Sequence, residues 1–171
     1  MLLRATEHIP PEVDADFFPF IRRAFETVAM ARVSTSGKEA QKLGYLRSTD
    51  RITINRDYLL HDAKMTVLNL VKENFRPARP KKIKVLGEKG FALLQVGLFH
   101  MREGGYISAY DERVAKRLAY VFSGGNLPDG TEVTEQHILD LEREAFLSLC
   151  GEPKTEERIQ HMLKTGKPLR N

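Results

Sequence analysis

Apolar positions recur at helical spacing along almost the whole chain, and helix-stopping residues fill the gaps between them. From 17 to 31, Phe17, Ile21, Ala24, Phe25 and Val28 form one stripe. Pro19 falls in the first turn, where its missing N–H does little harm, so the pattern predicts an amphipathic helix. Ser36 stands three residues before Glu39, the spacing of a capping box, and Gly44 supplies a left-handed residue to close a helix of about two turns. Ile52-Thr53-Ile54 is too short to found a sheet. It leads into a long predicted helix over 57–74 with Leu60, Ala63, Val67, Leu70 and Val71 inward.

Residues 76–82 hold Pro77 and Pro80 and no apolar pattern beyond Ala78, which makes them the best linker in the chain. Residues 82–86 alternate polar and apolar, as a brief extended stretch does. Helical spacing returns over 88–101 with Phe91, Leu94 and Leu98, beside the small Gly90 and Gly97, and stops at Gly104-Gly105. Ser108 caps the next helix, whose stripe is Val114, Leu118, Val121 and Phe122 and whose stop is Gly124-Gly125. After the turn-rich stretch 126–130, Thr134 opens a helix with Ile138, Leu141, Ala145, Phe146 and Leu149 that ends at Gly151, and a last short helix begins near Pro153. Six or seven helices with negligible strand predict an all-α fold.

The length of 171 residues gives room for one domain or two small ones. No apolar run approaches the roughly 18 residues of a membrane span. The opening MLLRATEHIPPEVDAD lacks a sustained apolar core followed by a small-residue cleavage site, so a secretory signal is not expected and a reducing cytoplasm is the default. The single Cys150 ends an apolar helical stripe and reads as a small buried hydrophobe rather than a nucleophile. Lys and Arg number 27 against 23 Asp and Glu, and the excess is clustered. Arg76, Arg79, Lys81, Lys82 and Lys84 form one patch, and Lys164, Lys167 and Arg170 form another with no acid among the last eight residues. Such patches attract anions, although a solvated connector is the commonest reason for a basic run.

Local motifs for chemistry are sparse. His8, His61, His100, His137 and His161 form neither H-x-x-x-H nor H-E-x-x-H. Glu157 and His161, with Asp140 and Glu144 on the preceding helix, come nearest to a carboxylate-bridged metal site, but the spacing is not Glu-x-x-His, and helix-dipole complements explain them. No metal is expected. Tyr106, Ser108, Tyr110 and Asp111 cluster after a Gly-Gly turn; without an adjacent His base, Ser108 reads as a cap rather than a nucleophile. Neither Gly pair carries the Lys-Ser/Thr of a phosphate loop, and no G-x-G-x-x-G occurs. The 76–84 patch has no interleaved aromatic and no helix-turn-helix signature, which disfavours nucleic acid.

Two segments carry a resemblance. Residues 140–171 contain E-x-x-x-F-x-x-L at Glu142, Phe146 and Leu149, then a short acidic link, a helix with Glu156 and Glu157, and a Lys167-Pro168 close. This resembles the C-terminal end of the enoyl-CoA hydratase (crotonase) superfamily. Residues 29–46, with Ser36, Glu39, Ala40, Gly44 and Leu46, resemble the crotonase segment that follows the active-site core. Pro19-Phe20 and Phe25-Glu26 ahead of it bring the likeness closest to bacterial proteins in which an NAD-dependent 3-hydroxyacyl-CoA dehydrogenase is fused to an enoyl-CoA hydratase region.

The resemblance implies a detached or truncated, non-catalytic C-terminal region of a fatty-acid β-oxidation enzyme that supports the fold, the acyl-CoA site or subunit contacts. The oxyanion hole and catalytic Glu of such hydratases would precede Met1, so no catalytic residue is carried over. NAD and acyl-CoA are then the parent's cofactor and substrate, with none bound by this segment. Lys164, Lys167 and Arg170 would suit the phosphates of an acyl-CoA. The expected organisation is a crotonase-like segment over 1–75, an inserted linker and helical pair over 76–130, and terminal crotonase-like helices over 131–171, in one compact unit. The inserted pair would cover the sheet core or dock the dehydrogenase domains, leaving an apolar face exposed without them. Partners would be those upstream domains and a second copy of the chain. The alternatives are an autonomous helical protein-interaction module and, less favoured, a basic nucleic-acid-binding module.

Overall fold

The computed structural model describes residues 1–7, 9 and 15–171; His8 and part of the opening stretch read for a leader lie outside them. Among the described residues there are eight α-helices: α1 (Leu2–Thr6), α2 (Phe18–Ala29), α3 (Gly37–Lys42), α4 (Leu59–Lys72), α5 (Gly87–Glu103), α6 (Ala109–Ser123), α7 (Glu135–Cys150) and α8 (Pro153–Thr165). The fold is all-α, as the spacing predicts. The helix that the pattern does not announce is α1, whose five residues are too few to show a period. Two strands, β1 (Ile83–Lys84) and β2 (Glu132–Val133), form a minimal antiparallel ribbon that pairs Ile83 with Val133 and Lys84 with Glu132.

The chain separates into two compact units, one made of Met1–Arg32 with Lys81–Asn171 and the other of Val33–Pro80. These breaks follow different lines from the segments 1–75, 76–130 and 131–171, although the break after Pro80 falls inside the proline-bearing linker. In the first unit, α5 and α6 are the centre of the core. Leu94 and Leu98 from α5 meet Ala115, Ala119 and Phe122 from α6, with Ile21 and Phe25 of α2, Ile83 and Val133 of the ribbon and Val85 just after β1 around them. The Phe25 and Phe122 rings pack edge to face at 5.9 Å and 74°. Ser108 and Asp111 build a full capping box at the start of α6, and Gly124 ends the helix at φ 86°, in the left-handed region that favours glycine.

The second unit is small. Ser36 Oγ accepts from the Glu39 N–H at 3.1 Å, as the capping box requires. The Glu39 carboxylate reaches one residue further back than expected, accepting from the Thr35 hydroxyl and N–H at 2.5 and 2.6 Å, and these two bonds hold its pKa below the usual carboxylate range. Gly44 closes the helix at φ 81°. Thr53 Oγ1 donates to Asp62 at 2.9 Å and fixes the approach to α4.

The inward assignment of the α4 stripe is overturned. No residue of α4 is buried; Leu60, Val67 and Val71 are 81, 58 and 68% exposed. The spacing was helical, but a unit whose other α-helix has six residues has no surface wide enough to cover that face. Replacing Leu60, Val67 and Val71 together by Gln is therefore expected to lower binding of an apolar-surface dye while far-UV circular dichroism is kept. Unchanged dye binding would locate the exposed apolar surface elsewhere.

Candidate functional site

Helices α6, α7 and α8 continue from the first unit's core without closing over it. Neither α7 nor α8 has a buried residue, and Phe146 is 61% exposed. The gap is an apolar groove of about 720 Å³. Leu2 and Val28 line one part of it, Val114, Leu118 and Val121 of α6 another, Ile138, Phe146 and Leu149 of α7 the facing wall, and Met162, Pro168 and Leu169 one end. This size falls within the range of small-molecule pockets, and the lining has the usual composition of apolar walls with a few charged groups.

Those charged groups centre on Asp111, whose side chain is 11% exposed. Arg158 of α8 and Arg170 of the tail each place a guanidinium nitrogen 3.0 Å from its Oδ1, and the Ser108 N–H donates to its Oδ2 at 3.1 Å. Burial pushes the Asp111 carboxyl up, but the bonds from Ser108, Arg170 and Arg158 outweigh it and leave the pKa below the ordinary aspartate value. The same arginine holds the tail a second way: Arg158 Nε donates to Asn171 Oδ1 at 2.7 Å, and the Ser108 hydroxyl donates to the Asn171 carbonyl at 3.2 Å. Arg158 also lies 4.9 Å from the Tyr110 ring centroid, and the Tyr110 hydroxyl is 2.5 Å from Thr155 Oγ1. The capping box at the start of α6, of which the sequence announces only the Ser108 cap, thus also anchors the C-terminal residues along the groove.

A second cavity lies beside α6. It is an open, polar cleft of about 710 Å³ lined by Arg113, Lys116, Arg117 and Tyr120 of α6, Phe91 of α5 and Glu144 of α7. Phe91 and Tyr120 meet edge to face at 5.9 Å. Arg113 pairs with Glu152, and Lys116 pairs with Glu112 at 2.7 Å. Arg117 lines both the apolar groove and the polar cleft, and among the described residues it makes no ion pair.

The chain has a relative of known name. Over 149 residues, 87% of its length, it is 52% identical to a probable 3-hydroxyacyl-CoA dehydrogenase of Bacillus subtilis (strain 168). It spans 19% of that protein's length. No family model and no solved structure matches the chain.

Against this geometry the three basic residues singled out from the sequence divide. Arg170 reaches the groove and its partner Asp111. Lys164, in the last turn of α8, and Lys167, beyond it, are exposed and line neither cavity. Sequence reading passed over Asp111 as more than a cap, Arg158 as the tail's anchor, and Arg117. The spacing of Arg113, Lys116, Arg117 and Tyr120 at i, i+3, i+4 and i+7 was a legible helical stripe, but it is polar, and a search for apolar stripes does not register it. Among the described residues no three His, Cys, Asp or Glu converge as a metal site would need. Cys150 is half-buried rather than buried, as α7 has no buried residue along its length. No described helix is long and apolar enough to cross a membrane.

Proposed function

We propose that this chain serves as a C-terminal, non-catalytic helical region of a fatty-acid β-oxidation enzyme of the 3-hydroxyacyl-CoA dehydrogenase type, fused in function to an enoyl-CoA hydratase core. The observation that carries the reading is the 52% identity over 149 residues to a named dehydrogenase of which those residues make up only a fifth. The apolar surface left on α4, α7 and α8 supports it, since exposed apolar patches of this kind mark protein contacts. In this reading the dehydrogenase and hydratase portions bring NAD, the oxyanion hole and the catalytic acids. The chain brings cover for their apolar surface and one side of the acyl-CoA site.

The purified chain is expected to catalyse neither enoyl-CoA hydration nor NAD-coupled oxidation of a 3-hydroxyacyl-CoA. It is expected to form a complex, resolved by sedimentation velocity, with the Bacillus subtilis relative from which the homologous 149 residues have been deleted. Turnover by the chain alone would refute the non-catalytic assignment, and absence of a complex would refute the docking role.

A further inference from the structure

The open stripe on α4 and the α7 wall of the apolar groove repeat one another in spacing. Along α4 the exposed positions Leu60, Lys64, Val67 and Val71 fall at i, i+4, i+7 and i+11. Along α7 the groove-lining positions Ile138, Glu142, Ala145 and Leu149 fall at the same offsets. Each set keeps to one face of its helix and rises about 16 Å. Laid side by side in parallel, the two helices bring Leu60 against Ile138, Val67 against Ala145 and Val71 against Leu149, and they bring Lys64 against Glu142. The charged position is the second in each set, and the signs are opposite. Both side chains are exposed, and among the described residues neither makes an ion pair. The groove's other charges are placed elsewhere. Asp111 takes Arg158 and Arg170, Arg117 lies where the groove meets the polar cleft, and Glu135, in the first turn of α7, falls opposite Arg56 and Asp57, which carry no net charge together. On the far side of α4, Asp62 accepts from Thr53 at 2.9 Å and Thr66 accepts from Arg51 at 3.2 Å, so the second unit holds the helix with its stripe outward.

We propose that two copies of this chain associate by exchange: α4 of each seats in the groove of the other, parallel to α7, with Lys64 of one copy against Glu142 of the other. The exchange is reciprocal under a two-fold axis, so it closes both open surfaces of both copies. Burial of the apolar positions supplies the affinity, and the contact of Lys64 with Glu142 sets direction and register. An antiparallel helix would set Val67 against Glu142 and Lys64 against Ala145, a charge against an apolar side chain at both places. This goes beyond the docking role above and does not rest on it. Leu147 of α7 and Leu163 of α8, 62 and 81% exposed, lie outside the groove and stay open to other domains in the pair.

Sedimentation velocity of the full chain over a concentration series from about 1 to 100 µM tests this. The parent is expected to pass from monomer to dimer across that range, and the dye experiment on α4 belongs below it, where the copies are apart. Lys64→Glu and Glu142→Lys should each weaken the dimer at least about tenfold, because each sets like charges against one another twice in a two-fold pair. Both positions are exposed, so far-UV circular dichroism of either variant should match the parent. An equimolar mixture of the two variants should recover the parent's dimer, since both contacts in the mixed pair are again of opposite sign. Leu60, Val67 and Val71 replaced together by Gln should leave a monomer. A parent still monomeric at about 100 µM, a dimer indifferent to Lys64→Glu, or a mixture as monomeric as its components would overturn the proposal. If the copies stay apart while the chain still joins the truncated relative, this inference falls and the docking role stands; a dimer without that complex keeps this inference and removes the docking role.

Discussion

Gly87→Ala is expected to destabilise the unit formed by residues 1–32 and 81–171 by about 3–5 kcal/mol, enough to lower its midpoint of thermal unfolding by roughly 10 °C. Gly87 opens α5 with φ 55°, in the left-handed region, where a Cβ is strained whatever surrounds it. Here the surroundings add to the strain. A Cβ would stand 2.0 Å from the Leu127 carbonyl oxygen and 2.7 Å from the Pro128 carbonyl carbon, and both are backbone atoms that cannot rotate away. That approach is structural, because the Leu127 carbonyl accepts from the Glu88 N–H at 2.9 Å and ties the loop after α6 to the start of α5. Gly97, ten residues along the same helix, is the control. A Cβ there meets nothing within 4 Å, so Gly97→Ala should stabilise by about 0.5–1 kcal/mol through helix propensity. Denaturant unfolding of the two variants should move in opposite directions, and a Gly87→Ala protein as stable as the parent would refute the close approach.

Asp111→Asn should cost about 2–3 kcal/mol and release the last residues of the chain. The carboxylate is nearly buried and takes two guanidinium groups and a backbone N–H, so its removal leaves Arg158 short of a charge partner and weakens the α6 cap together. Hydrogen exchange at residues 167–171 should rise in the variant, whereas the amides of α5 should stay protected. Unchanged exchange in the tail would rule out the anchoring role. The same contacts set the acid sensitivity. Because folding depresses the Asp111 pKa, its stabilisation is fully present above the unfolded aspartate value of about 3.9 and is lost as pH falls through the lower native value. The parent should therefore lose an increment of stability on acidification below about pH 4 that Asp111→Asn does not.

Much of the fold was legible in the order of residues. Ser36, Ser108 and Thr134 stand at the starts of α3, α6 and α7 because a hydroxyl there satisfies an N–H that the helix itself cannot. Gly44 and Gly124 stand at helix ends because they adopt φ near 80° without a Cβ penalty. These are local effects, complete within four or five residues, so the sequence alone suffices to locate them. The core positions Leu94, Leu98 and Phe122 were legible for a related reason: their stripes belong to helices that find each other.

The stripe on α4 shows where that reasoning ends. Leu60, Val67 and Val71 have the same periodicity as a core face and lie in the open, because periodicity states that a face is apolar and does not say what covers it. The candidate site divides the same way. By itself the sequence determined the helical class, the caps and stops, the linker at 76–82 and the basic character of the tail. Only the tertiary structure decided that Asp111 gathers Arg158 and Arg170 from residues 47 and 59 positions away, that Arg117 joins two cavities, and that Lys164 and Lys167 reach neither. The physical reason is range: a cap or a turn is closed by neighbours along the chain, whereas an ion pair or a groove depends on which distant helices pack side by side.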